Sequence, residues 1–230
     1  MAIQQAPPQR PPQKSSKAGL GCLGCGCLAV LVVFLGIAGL CAGGIYMFFK
    51  QANVVSSASP EAIAAYTASD DVYAGAQKKV AAFNDDVSTS KTSTLTLSSD
   101  EVNALLYHTI DPRKLQGQAL VTMTGDEARV QASIPSNGIP FINWGVKDRY
   151  FTLDLTSGVA FNVDTKEVEL QFHKVQFGDT VVPQNSMAAL QSSFSQQLNL
   201  KLQQNPDISK VLQAVKTVSI KDGQFVVETK

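Results

Sequence analysis

RYFTLDLTSGVAFNVDTKEVELQFHKVQF, residues 149–177, carries the alternation that decides the fold. Phe151, Leu153 and Leu155 fall on one face of a strand, and Val159, Phe161 and Val163 follow in the next. Val168, Leu170 and Phe172 continue the period of two, the mark of strands with one buried face. The pattern slips at His173-Lys174 and resumes at Val175 and Phe177. A one-residue slip turns the inward set outward, so a bulge is expected there.

Upstream, residues 119–124 and 128–134 flank Gly125-Asp126 and read as a hairpin. Between that hairpin and the quoted stretch lies GIPFINWGV, residues 138–146, an apolar loop holding the only Trp. Its aromatics either plug one end of the core or form a lip that meets a membrane or an apolar ligand. Residues 94–97 form a short strand, and Ser98 to Glu101 is a capping box for a helix with Val102, Leu105 and Leu106. Ser59-Pro60-Glu61 reads as an earlier helix start. Its stripe of Ile63, Ala64, Tyr66, Val72, Ala76, Val80 and Phe83, with a break at Ser69-Asp70-Asp71, runs to about Asn84; residues 85–93 are a Ser/Thr-rich loop.

Downstream, a long helix begins near Asn185, with Met187, Leu190, Phe194, Leu198 and Leu202 in a single apolar stripe and Ser, Gln and Asn elsewhere. Asn205-Pro206 breaks it, Ile208, Val211, Leu212 and Val215 mark a shorter helix, and a hairpin across Asp222-Gly223 closes the chain. Helices at both ends of a run of antiparallel strands give an α+β domain, residues 59–230. The expected architecture is one curved antiparallel sheet packed on the Met187 helix. Such a sheet encloses an elongated apolar interior, either filled by side chains or open to an acyl chain. The candidate lining residues are Phe141, Trp144, Phe151, Phe161, Phe172, Met187, Leu190, Phe194 and Leu198.

Residues 18–49 hold no charge between Lys17 and Lys50. A spanning helix needs about 20 mostly apolar residues, so this stretch predicts a transmembrane helix. It separates a Pro/Gln-rich, disordered cytoplasmic tail, residues 1–17, from a linker, residues 50–58. Arg10, Lys14 and Lys17 precede it and Lys50 alone follows closely, which puts the N-terminus in the cytoplasm and the domain outside a bacterial cytoplasmic membrane. A cleaved signal peptide is the rival reading, but the apolar run is about twice the usual 7–15 residues. Cys22, Cys25, Cys27 and Cys41 all lie within the span, so the exported domain can form no disulfide. Gly39 and Gly43 offer a small-residue face for a homodimer.

Without its first 50 residues the chain keeps 15 Lys and Arg against 19 Asp and Glu, a formal charge of −4. That charge with no basic cluster argues against nucleic acid as a partner. No nucleophile elbow, zinc-protease motif, phosphate loop or calcium loop occurs, so neither enzyme activity nor a metal or cofactor is expected. His108 is placed to satisfy carbonyls at the end of its helix, and His173 sits at the expected bulge. Asp70-Asp71 and Asp85-Asp86 read as helix-end charges. Asn103, polar among apolar neighbours, is expected to bond backbone groups at a helix-to-sheet border.

TLTLSSDEVNALL, residues 94–106, resembles the strand-then-helix opening of the YpmS-like family of single-pass bacterial envelope proteins. VQFGDTVVPQNS, residues 175–186, with the amphipathic helix and hairpin after it, resembles that family's later segment. The 138–146 loop departs from it. More distantly, the order of strands and helices is similar to tubular lipid-binding domains. The resemblance implies a membrane lipid or other elongated apolar ligand held without catalysis. The alternative is an envelope scaffold with a filled core that docks another protein.

Overall fold

The computed structural model of the chain describes residues 56–64, 66–67, 69–109, 119–135 and 149–230. The tail, the 18–49 stretch with its cysteines and the Gly39/Gly43 pair, and the 138–146 loop with Phe141 and Trp144 lie outside the described residues. Among the described residues no helix is long and apolar enough to cross a membrane.

The architecture is α+β, built on two antiparallel sheets rather than the single sheet expected. The larger holds β1 (Ser56–Ser57), β3 (Ala119–Thr124), β4 (Glu127–Pro135), β5 (Tyr150–Asn162), β6 (Glu167–Phe177) and β7 (Thr180–Val181). Its order is β3-β4-β5-β6-β7, with β1 paired to the start of β5. The smaller holds β2 (Thr94–Ser98), β8 (Val215–Lys221) and β9 (Gln224–Thr229) in the order β2-β9-β8. The helices among the described residues are α1 (Asp70–Ser88), α2 (Ser99–Thr109), α3 (Gln184–Gln204) and α4 (Pro206–Ala214).

The bulge lies where the alternation slips. Thr156 opposes Lys174 and Ser157 opposes Phe172, which leaves His173 as the extra residue on β6. Phe172 and Val175 are both buried as a result, although they are three residues apart. The slip is absorbed by β6 alone. Hence residues 149–163, read as two strands, form the single strand β5, whose ladder continues through Ser157 and Gly158.

Two further expectations are corrected. The Ser59-Pro60-Glu61 helix start is not used, and α1 begins only at Asp70. The described residues before it, 58–64, 66–67 and 69, instead run outside helix and strand, with the Glu61 amide on Ser133 Oγ at 3.2 Å and Tyr66 donating to Asp100 O at 2.8 Å. Those contacts fix the segment against β4 and the first turn of α2, in competition with local helix formation. The Met187 helix is not the cover of the sheet's face either. β8 lies against β5, and α3 lies along β6 at the sheet's margin.

The hairpin tips join the two sheets. Asp222 and Gly223 take φ of 52° and 72°, as a type I′ turn requires, and the Gly223 amide donates to Gly125 O at 2.8 Å. A Cβ on Gly223 would come 3.1 Å from Met123 O, so glycine serves both the turn and the approach. At the start of α2 the capping box forms as read, with Glu101 Oε2 accepting from the Ser98 amide at 2.9 Å and Ser98 Oγ from the Glu101 amide at 3.2 Å. Asn205 Oδ1 accepts from the Ile208 amide at 3.3 Å, capping α4 at Pro206. One continuous apolar core joins both sheets and all four described helices.

Candidate functional site

An edge strand leaves half its backbone groups without a ladder partner, and here a helix supplies partners along each margin of the large sheet. Along β3, Asn103 of α2 accepts from the Val121 amide at 2.9 Å and donates to Val121 O at 2.7 Å. Ser99 Oγ accepts from the Met123 amide at 2.8 Å, and Tyr107 donates to Ala119 O at 3.1 Å. This is the backbone role expected for Asn103, which is 1% exposed. Along β6, Asn199 of α3 pairs with both groups of Val168, at 2.8 and 2.9 Å. Ser195 Oγ accepts from the Leu170 amide at 3.3 Å and Gln191 Oε1 from the Phe172 amide at 3.2 Å.

The two margins share one device. Each Asn follows a Ser by four residues, donates to that Ser carbonyl, and pairs with a strand residue whose second neighbour donates to the same Ser hydroxyl. Ser99-x-x-x-Asn103 and Ser195-x-x-x-Asn199 are therefore equivalent clamps. Composition alone did not single out Gln191, Ser195 and Asn199. Their signal was a second stripe at steps of four beside the apolar one, matching the spacing in α2.

An open groove of about 360 Å³ lies where α3 meets β6. Leu170, Phe172 and Met187 supply its apolar lining; Gln184, Gln191, Ser192 and Ser195 are polar and uncharged, and Glu169 is the one charged lining residue. Of the residues expected to contact a ligand, Phe172 and Met187 line this groove. Phe151, Phe194 and Leu198 are buried in the core, while Phe161 and Leu190 are partly buried against it. Phe194 meets the Phe172 ring edge-on, centroids 5.5 Å apart, so an aromatic pair stands behind the groove.

The histidines have partners of other kinds. His108 lies in the last turn of α2, as expected, where it stacks on Tyr73 with centroids 3.8 Å apart and lies 3.6 Å from Asp70. His173 Nδ1 meets Glu127 Oε1 at 2.5 Å. On the same sheet, Asp154 is 6% exposed and receives Arg129 Nε and Nη2 at 2.8 and 2.9 Å and Lys174 Nζ at 2.8 Å. Hydrogen bonding from Arg129, helped by Lys174, holds the Asp154 carboxyl below its ordinary range although burial opposes this. Arg129 is a clamp for a buried carboxylate, and its charge is already matched. Among the described residues no group of three or more His, Cys, Asp or Glu side chains is placed to hold a metal ion. Compared with protein-family models, curated proteins and solved structures, the chain gives no match.

Proposed function

We propose that this is a membrane-anchored, non-catalytic domain on the extracytoplasmic face of a bacterial cytoplasmic membrane, holding an elongated apolar ligand in the groove between α3 and β6. The observation that carries it is the groove itself, a polar rim with Glu169 as its one charge over Leu170, Phe172 and Met187, with Phe194 behind. The rest of the support is in the sequence: the uncharged 18–49 stretch as anchor and the resemblance to envelope and tubular lipid-binding proteins. β1 begins six residues after Lys50, which limits the Tyr150 end of the sheet to about 20 Å from the end of such an anchor.

A diazirine-bearing acyl lipid, photolysed with the full chain in liposomes and mapped by peptide mass spectrometry, tests this reading. The expected crosslinks fall on peptides containing Phe172 and Met187. Crosslinks confined to residues 18–49 contradict it.

A second reading, an envelope scaffold, is favoured by the burial of Phe151, Phe194 and Leu198 in a filled core. Gly39 and Gly43 would then hold two anchors together. Crosslinking in native membranes would recover a recurrent protein partner under this reading and none under the first.

A further inference from the structure

Where the groove meets β6, the strand presents two backbone donors, the amides of Leu170 and Phe172, both among its lining residues. Successive outward amides of a strand lie about 6.6 Å apart, twice the rise per residue, so one elongated polar group can approach either. Their present acceptors are side chains, Ser195 Oγ at 3.3 Å and Gln191 Oε1 at 3.2 Å. At the equivalent place on the opposite margin Met123 is held at 2.8 Å by Ser99. The Asn199 clamp one step away is short as well, at 2.8 and 2.9 Å. The long bonds therefore coincide with the groove and with no other part of either clamp's serine and asparagine contacts.

We propose that the Leu170 and Phe172 amides are alternative polar anchors of the ligand site, and that one or the other takes the carbonyl oxygen of an acyl ester while its chain lies against Met187 and Phe172. This rests on the lipid-binding reading above. Ser195 and Gln191 act as stand-in acceptors that hold the two amides when the groove is empty and rotate aside when it fills. A neutral donor matches a neutral carbonyl. Glu169, the lone charged lining residue, disfavours a free carboxylate in the same place, so an ester is preferred to a fatty acid. A groove of about 360 Å³ is at the small end of ligand sites and suits one chain rather than two.

The test uses the full chain in liposomes with two diazirine probes of equal chain length, a monoacylglycerol and the corresponding fatty acid, at neutral pH. Crosslink yield is read on the peptides carrying Phe172 and Met187. For the wild type the ester is expected to label at least several-fold more strongly than the acid. Ser195→Ala removes the acceptor that competes for the Leu170 amide, so half-saturation by the ester probe should fall several-fold. Gln191→Glu, of similar size, competes more strongly for the Phe172 amide and should raise it. Circular dichroism checks that each variant is folded. Equal labelling by ester and acid, or weaker binding in Ser195→Ala, overturns the anchor while leaving the lipid reading standing. Absence of labelling on either peptide by both probes overturns both.

Discussion

The two margins of the large sheet solve one problem with one motif and differ in how completely they solve it. At β3 the clamp is dry: Asn103 is 1% exposed, and the capping box of Ser98 and Glu101 fixes the first turn of α2. At β6 the clamp is short only at Asn199; one and two turns earlier, at Ser195 and Gln191, its bonds lengthen and a groove opens. No side chain caps the start of α3 after Pro183, and its first turn holds no acidic residue. The contrast teaches that edge protection and ligand access are competing uses of the same helix-to-strand contact. Where the clamp is complete the margin is structural, and where it is incomplete backbone donors remain within reach of a ligand.

The largest effect is expected at the dry margin. Asn103→Leu leaves both backbone groups of Val121 without partners in the core and should destabilise the domain by about 3 kcal/mol, at about 1–3 kcal/mol per buried unsatisfied group. Chemical denaturation checks it. Asn199→Leu strands the same two groups of Val168 at a contact that is also buried, though Asn199 is 7% exposed against 1% for Asn103, and should cost about 2 kcal/mol. A larger loss for Asn199 than for Asn103 would reverse the ranking of the two margins.

A smaller effect separates the margins from the middle of the sheet. The Asp154 carboxyl is held below its unfolded value of 3.8, so its contribution to stability is present above about pH 4 and is lost as pH falls through the lower folded value. Asp154→Asn should remove that part of the acid limb in unfolding measured from pH 5 to pH 2. Because Asp154 lies on β5, between the margins, the ratio of the Asn103 and Asn199 effects should not change with it.

Much of the fold was legible in local pattern. The hairpins, the bulge at His173 and the helix stripes follow from alternation, Asp-Gly turns and capping residues, which act over a few residues. The split into two sheets was not legible, because strands of identical pattern leave open which pairs with which. The use of residues 59–64 and 66–67 as non-helical chain escaped for the same reason: Pro60 and Glu61 suit a helix, and the competing partners Ser133 and Asp100 are distant in sequence. In the site, Asn103 was legible because an amide among apolar neighbours must find a partner. Asn199 lay hidden among other amides and hydroxyls on α3, and only its match to the spacing of Ser99 and Asn103 distinguishes it.

Amide hydrogen exchange resolved to single residues tests the difference between the margins most directly, since it reads the opening of each backbone group separately. The account predicts that Leu170 and Phe172 exchange faster than Val121 and Met123, and that they alone of the four slow when the chain is reconstituted with monoacylglycerol. Equal protection at both margins, unchanged by the lipid, would contradict it.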